Sequence, residues 1–203
     1  MARGLFVAVE GIDGAGTTTQ ARLLAEWLRS QGRQVVLTAE PTDGPVGRVI
    51  REILRGEMAS VGEETMALLF AADRALHLHQ RILPALERGA AVVSDRHYLS
   101  SLAYQSVQVE MEWVAELNSR FHRPDLTVLL DLRPEEALSR KEAEGGEPER
   151  YERRDYLRQV RENYLEAARR ATEAGERVEV LDATQDIEAV QARIRALAAP
   201  LIR

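Results

Sequence analysis

The sequence predicts an α/β fold in which a five-stranded parallel sheet is flanked by helices. Short apolar runs alternate with segments of helical period along the 203-residue chain, which is typical of parallel strands joined by right-handed crossovers. A glycine-rich loop lies between the first apolar run and the first helical segment, as in folds that bind phosphate. At this length we expect one domain over residues 1–203.

The first strand, loop and helix form the clearest unit. Leu5 to Glu10 is an apolar run typical of a buried strand, and Gly11 to Gly16 is the glycine loop. Thr18 to Gln31 carries apolar residues at helical spacing. Gly32 is expected to end this helix, because glycine adopts the left-handed backbone of a helix C-terminus without a steric penalty.

The remaining elements continue the alternation. Further strands are expected at Gln34 to Ala39, Ala90 to Ser94, Leu126 to Leu132 and Val178 to Asp182. Further helices are expected at Val46 to Arg55, at Glu63 to Arg88 with an interruption near Pro84, and at Ile187 to Leu201. The charged segment 142–155 surrounds Gly145-Gly146 between two helical segments, which is typical of a mobile lid.

Charge and residue usage exclude several classes of function. The formal net charge of -6 argues against a general nucleic-acid binder, so an anionic ligand has to be met by local cations. Lys141 is the only lysine, so those cations are almost all arginines. The sequence shows neither a signal-peptide pattern nor a run of about 20 apolar residues. We therefore expect a cytoplasmic protein that does not bind membranes.

Metal sites built from thiolates or histidines are not expected. The chain has no cysteine, which excludes disulfides and thiolate ligands. Its four histidines lack metal-ligand spacing and are interpreted as structural or solvent-facing: His77, His79, His97 and His122.

The loop from Gly11 to Thr18 carries the strongest chemical signal. Its glycines allow successive N–H groups to point inward, and the following helix N-terminus favours a polyphosphate. Thr18 stands where a magnesium-binding hydroxyl belongs, but Thr17 occupies the position of the usual lysine. Two alternatives stay open: the loop is only a tight turn, or it binds nucleotide without catalysing transfer.

Two further pairs point to a ligand site. Asp95-Arg96 follows the third strand, at the strand end where open parallel sheets bind ligands, although a surface ion pair is the alternative. Phe70 and Arg74 lie four residues apart and share one helix face. From its residue type alone, Phe70 is also typical of an ordinary core side chain.

An ordered set of motifs resembles the thymidylate kinase family of nucleoside monophosphate kinases. The motifs are EGIDGAGTTTQ, EP after the second strand, LLFAADR, SDRHYLSSLAYQ, RPDLTVLLDL, an arginine-rich lid and DAT. The resemblance covers nearly the whole chain. It implies the P-loop kinase type of five-stranded sheet, a homodimer, and transfer of a phosphoryl group from ATP, with Mg²⁺, to dTMP to give dTDP.

The resemblance also implies roles for individual residues. Catalytic roles fall on Asp13, Asp95, Arg96 and Arg150, and Mg²⁺ binding falls on Thr18 and Asp95. ATP binding falls on Gly11, Gly14, Ala15, Gly16, Thr17, Thr18, Thr19, Arg153 and Arg154. Acceptor binding falls on Glu40, Pro41, Arg51, Phe70, Arg74, Ser100, Ser101, Tyr104 and Gln105.

Within the acceptor set, the family pattern assigns specific contacts. Phe70 is expected to stack on the thymine ring, Arg74 to donate to the base, and Tyr104 to crowd a ribose 2′-hydroxyl. Arg51 is expected to clamp the acceptor phosphate, with a solvated surface arginine as the alternative. Ala39 departs from the pattern, because many bacterial relatives carry arginine there, and acceptor contacts are therefore expected to differ.

The predicted lid offers a substitute for the absent lysine. Ala15 is the small loop residue of the family subtype in which lid arginines assist transfer, and Arg150 is the best single candidate. Guanidinium groups bind phosphate oxygens in pairs, so Arg150, Arg153 and Arg154 are expected to replace the lysine, with Lys141 a weaker candidate. The alternative is a charged connecting segment that stays solvated.

Two other functions stay open from the sequence. One keeps the fold and the kinase activity but changes the acceptor to another deoxynucleotide or a nucleoside. The other is a nucleotide-binding regulator that lost catalysis together with the loop lysine.

Overall fold

The computed structural model describes residues 4–143 and 154–202. Most of the predicted lid segment 142–155, with Arg150 and Arg153, lies outside the described residues.

Five strands form one parallel sheet, which confirms the predicted fold class. They are β1 (Leu5–Gly11), β2 (Val35–Ala39), β3 (Ala91–Asp95), β4 (Leu126–Asp131) and β5 (Val178–Asp182), in the order β2-β3-β1-β4-β5. Every residue of the central strand β1 is buried, and for this reason its sequence is a continuous apolar run rather than an alternating one.

Helices cover both faces of the sheet. Side chains of neighbouring strand residues point to opposite faces, so Phe6 and Val7 belong to different core clusters. The helices are α1 (Thr17–Ser30), α2 (Pro45–Leu54), α3 (Glu63–His77), α4 (Leu83–Glu87), α5 (Tyr98–Tyr104), α6 (Met111–Asn118), α7 (Pro134–Ala143), α8 (Arg154–Glu173) and α9 (Ile187–Ala198).

The long helical segment between β2 and β3 is interrupted earlier than predicted. A π-helical turn, Leu78–Ile82, separates α3 from α4, and Pro84 sits in the first turn of α4. Proline has no N–H to donate to the preceding turn and is tolerated at the start of a helix. The widened turn just before it is therefore the interruption, and Pro84 itself is helical.

The strand register brings the carboxyl ends of β1, β2 and β3 to the same edge of the sheet. Asp95, the last residue of β3, pairs with Val9 of β1 on one side and with Ala39 of β2 on the other. Asp95 thus belongs to the strand, one residue beyond its predicted end. The loops after β1, β2 and β3 all leave from this carboxyl edge, where parallel sheets bind ligands.

Candidate active site

The loop between β1 and α1 has the backbone shape that its glycines predict. Gly14 and Gly16 have φ angles of 81° and 90°, in the left-handed region. A Cβ on Gly14 would lie 2.6 Å from the Ala137 carbonyl oxygen, so α7 packs directly on the loop. The left-handed Gly16 immediately precedes the N-terminus of α1, which starts at Thr17.

A cavity of about 800 Å³, here called the phosphate-loop cavity, lies at this helix N-terminus. The unpaired N–H groups and the dipole of α1 favour an anion there. The cavity is lined by Asp13, Gly14, Ala15, Gly16, Thr17, Thr18, Thr19, Gln20, Arg96 and Arg140, and by residues 183–188 and Val190.

Thr17 does not reach into solvent as a lysine would. The residue is 6% exposed, and its methyl carbon Cγ2 would lie 3.2 Å from a Cβ on Gly11. The Thr17 side chain therefore packs inside the loop. In the described part of the chain, the positive groups that line this cavity are Arg96 and Arg140.

Thr18 lines the phosphate-loop cavity and contacts Asp95, and this pair fits a magnesium ion. The Thr18 hydroxyl donates to Asp95 Oδ2 over 2.5 Å, while Asp95 Oδ1 is buried without a hydrogen-bond partner. An unpaired carboxylate oxygen beside a hydroxyl suits a hard cation that takes its other ligands from phosphates and water. No group of three histidine, aspartate or glutamate side chains forms a closed metal site within residues 4–143 and 154–202.

Arg96 occupies the centre of the site. It has a φ angle of 70°, and within the described ranges no other non-glycine residue has a positive φ. Its Nη1 donates to the Gly11 carbonyl over 2.6 Å, and its Nη2 donates to Asp13 Oδ1 over 2.6 Å. The guanidinium also lies over the Tyr104 ring, 5.3 Å from the centroid. The Arg96 side chain is thus bound to a backbone carbonyl and to a side chain of the phosphate loop.

A second cavity, here called the acceptor cavity after the ligand that the sequence predicts for its lining residues, has a volume of about 240 Å³. Asp13 and Arg96 line both cavities. Except for Leu54 and Arg55, all its lining residues were selected from the sequence. They are Asp13, Pro41, Arg51, Phe70, Arg96, Ser100, Ser101, Tyr104 and Gln105.

Phe70 and Tyr104 give the acceptor cavity two aromatic walls. Phe70 is partly exposed on α3, so it is not fully enclosed in the core. The Tyr104 hydroxyl accepts from the Asp13 backbone N–H over 3.0 Å, and burial raises the pKa of Tyr104. Tyr104 is therefore a neutral, fixed wall between the loop and the cavity.

Arg51 lies at the rim of the acceptor cavity with part of its hydrogen-bonding capacity unused. Its Nη2 donates to the Pro41 carbonyl and lies 3.7 Å from Asp43 Oδ1, but its buried Nε has no partner. Its side chain is 38% exposed, so it is neither buried nor fully solvated. A guanidinium in this state has donors left for an anionic ligand.

Arg74 and Glu40, both selected as acceptor-binding residues, lie behind the acceptor cavity rather than on its surface. Arg74 is 1% exposed and donates to Glu40, Asn118, the His97 carbonyl and Ser101. Of these partners Ser101 lines the cavity. The contact of Arg74 with a base stays a prediction.

Glu40 is the centre of this buried cluster. Burial alone would raise the pKa of Glu40, but Arg74 and hydrogen bonds from His77 and His97 hold it well below its usual range. His77 and His97 are buried and contact Glu40 through Nδ1 over 2.9 and 3.1 Å, in line with the structural interpretation of these two histidines.

Arg154 is the one predicted lid arginine in the described part of the chain. Its Nη2 lies 2.6 Å from Glu135 Oε1, and its side chain is 60% exposed. Arg154 does not line the phosphate-loop cavity. Its contact with ATP stays a prediction, as do the roles of Arg150 and Arg153, which lie outside the described residues.

The sequence reasoning missed three residues of the site. Glu10 is fully buried in β1 and accepts from Ser100 Oγ over 2.6 Å. The sequence signal for Glu10 was a charged residue at the end of an apolar run. Tyr164 of α8 contacts Arg96, and its spacing resembles that of any core aromatic residue. Arg140 lines the phosphate-loop cavity from α7 and had no distinguishing signal.

A glycine loop opening a helix at the carboxyl edge of a parallel sheet, with a threonine–aspartate pair and a shared arginine, defines the class of P-loop phosphotransferases. The family model named Thymidylate kinase matches residues 9–194. The chain belongs to the thymidylate kinase family and is a nucleoside monophosphate kinase.

Curated relatives agree over nearly the full length. A probable thymidylate kinase of Pyrococcus abyssi is 46% identical over 200 residues, covering 96% of both chains. A probable thymidylate kinase of Thermococcus kodakarensis is 43% identical over 98% of both chains. A thymidylate kinase of Symbiobacterium thermophilum is 43% identical over 95% of this chain and 92% of the relative.

Within the described ranges, no helix has both the length and the apolar character needed to cross a bilayer.

Proposed function

We propose that the protein transfers the γ-phosphoryl group of ATP to the 5′-phosphate of dTMP, giving ADP and dTDP. The observation that carries the proposal is that two cavities, one at the phosphate loop and one with aromatic walls, share Asp13 and Arg96. A donor in the first and an acceptor in the second would face each other across these two residues. The family membership and the relatives' names support dTMP as the acceptor.

The reaction requires positioning and charge neutralisation rather than covalent catalysis. An oxygen of the dTMP phosphate forms a bond to the γ-phosphorus, and the bond from that phosphorus to the β–γ bridging oxygen breaks, so that ADP leaves with the bridging oxygen. Arg96 lies where it can contact both phosphates. Arg51 at the rim is assigned to the acceptor phosphate, because its free Nε can donate to an anion.

Mg²⁺, when bound, would neutralise charge on the phosphate oxygens. The residues that would hold it are Thr18 and Asp95. Their close contact and the unpaired Asp95 Oδ1 suit such an ion.

Arg96 and Arg140 supply positive charge to the phosphate-loop cavity in place of the missing lysine. Both line the cavity, and arginine stays charged at neutral pH. We retain Arg150, Arg153 and Arg154 as further candidates from the sequence.

The acceptor cavity is proposed to select a pyrimidine deoxynucleotide. Phe70 offers a ring for base stacking, Ser101 is fixed from behind by Arg74, and Tyr104 limits space near the sugar.

We also propose that the protein acts in the cytoplasm and forms a homodimer. Light scattering of the purified protein would test the homodimer.

An ADP-release assay with MgATP and a panel of acceptors tests this function. We expect turnover with dTMP well above that with dCMP, dGMP, UMP or thymidine. Arg96→Ala should lower kcat by about 100-fold or more, because it removes a charge at the phosphates. Arg22→Ala is the matched control, since Arg22 is exposed, pairs with Glu26 and lines neither the phosphate-loop cavity nor the acceptor cavity.

Turnover with another acceptor but not with dTMP would contradict the proposed substrate. ATP binding without turnover on any acceptor would contradict the proposed catalysis.

A further inference from the structure

Arg96 has a left-handed backbone, and the phosphate loop contacts its guanidinium through the Gly11 carbonyl and Asp13. Asp13, its charged partner, has a side chain that is 26% exposed and lines both cavities. A carboxylate in that position competes with bound phosphates for the same guanidinium. If Asp13 alone oriented Arg96, a bound nucleotide would disturb the orientation of the guanidinium during phosphoryl transfer.

Tyr164 holds Arg96 through the terminal nitrogen that does not contact Asp13. Tyr164 belongs to α8 and is 1% exposed. Its hydroxyl oxygen accepts a hydrogen bond from Arg96 Nη1 over 3.0 Å. A phenol is neutral, so this contact can fix the guanidinium without cancelling the positive charge that the phosphates need.

The direction of the Tyr164 hydroxyl is fixed by a buried acceptor. The hydroxyl donates to Glu10 Oε2 over 3.2 Å and lies 2.7 Å from Ser100 Oγ, which itself donates to Glu10 Oε2 over 2.6 Å. Because the proton is directed at the acceptors Glu10 and Ser100, a lone pair of the oxygen faces Arg96. Burial raises the pKa of Glu10, so this carboxyl occupies a position that costs stability.

We propose that Tyr164 is a positioning residue for phosphoryl transfer: its hydroxyl, anchored on Glu10 and Ser100, fixes the Arg96 guanidinium between the two cavities. The inference rests on the proposed function and assigns to that site a residue of α8 that does not line either cavity. Tyr164 acts through Arg96 and does not touch the substrates.

Tyr164→Phe tests the proposal because it removes the hydroxyl and keeps the ring, which packs at 87° to Tyr104. We expect kcat to fall about tenfold while KM for ATP changes less than about twofold, since the lost restraint affects the transition state more than ATP binding. Tyr98→Phe is the matched control. Tyr98 is also 3% exposed or less, but its hydroxyl donates to Glu176. The Tyr98→Phe variant should lose about as much thermal stability as Tyr164→Phe and should keep the kcat of the unmodified protein.

A double-mutant cycle separates positioning from a purely structural role. Adding Tyr164→Phe to Arg96→Ala should lower kcat by less than about twofold more, because the residue through which the hydroxyl acts is gone. A structural role would give the same tenfold loss in both backgrounds. That result, or a Tyr164→Phe enzyme with unchanged kcat, would overturn the proposal.

Glu10→Gln asks the same question if Tyr164→Phe does not fold. The amide places N–H donors where Oε2 accepted, so the Tyr164 proton turns towards Arg96, itself a donor. We expect a fall in kcat with little change in KM for ATP, and an unchanged kcat would overturn the proposal. A failure of the proposed function is distinguishable, because it appears as absent dTMP-dependent turnover in the unmodified protein.

Discussion

Replacement of Glu40 by glutamine tests the buried cluster behind the acceptor cavity. Glu40 and Arg74 have side chains that are 3% and 1% exposed. Glu40 Oε2 lies 2.9 Å from Arg74 Nε and 2.8 Å from Nη2, and Oε1 accepts from His77 and His97. The amide of Glu40→Gln turns one acceptor oxygen into a donor that faces other donors, and it leaves the Arg74 charge without a counter-ion.

The size of the effect follows from this geometry. Removing one partner of a buried ion pair costs about 3–5 kcal/mol, because the remaining charge stays desolvated. With a urea m-value of about 2 kcal/mol per molar, the unfolding midpoint should fall by about 1.5–2.5 M. Because Arg74 holds Ser101 at 3.1 Å, KM for dTMP should also rise.

Urea unfolding followed by circular dichroism measures the first effect. The control is Glu26→Gln, which breaks an exposed pair of i, i+4 residues and should cost about 0.5 kcal/mol or less. A loss of under about 1 kcal/mol for Glu40→Gln would refute the interpretation of this cluster as a buried, charge-dependent support.

Three further predictions address the pH dependence and the loop. The pKa of Glu40 is lowered on folding, so its stabilising contribution is present above about pH 4.5 and is lost as pH falls through the folded pKa; urea titrations should show a weaker acid loss in Glu40→Gln, and equal slopes would contradict this. Gly14→Ala should abolish ATP binding in calorimetry, because the new Cβ would lie 2.6 Å from the Ala137 carbonyl oxygen and φ is 81°; unchanged affinity would count against the loop geometry. Thr17→Lys should raise kcat less than about threefold, because Arg96 and Arg140 already line the cavity; a gain of more than about 30-fold would show that they do not replace the lysine.

The sequence predicted the sheet because local patterns determine it. All five strands were placed to within one residue at each end, since each contains a short apolar run, and the runs of β1, β3 and β4 are almost entirely buried. Helices α5 to α8 were not delimited; of these, α5 and α6 have only seven and eight residues, too few to show a clear helical period. The interruption at Leu78–Ile82 was attributed to Pro84, the visible signal, although the π-helical turn precedes it.

The acceptor cavity was largely predictable, whereas its supporting residues were not. More than half of the lining residues belong to segments that follow β1, β2 and β3, whose carboxyl ends the sheet register brings together. Arg74 and Glu40 were selected as acceptor-binding residues, and a sequence cannot show that their charges face each other in the interior, behind the cavity. Tyr164 contacts Arg96 across 68 positions of sequence, a tertiary contact without a local pattern.

The central claim is that a phosphate loop without a lysine still transfers a phosphoryl group between the two cavities joined by Arg96. The most direct measurement follows the label from ATP carrying a labelled γ-phosphate, incubated with Mg²⁺, dTMP and the unmodified protein. We predict that the label appears in dTDP in step with ADP formation. The account would be contradicted if calorimetry shows that ATP binds but dTMP stays unlabelled after an incubation long enough for many turnovers.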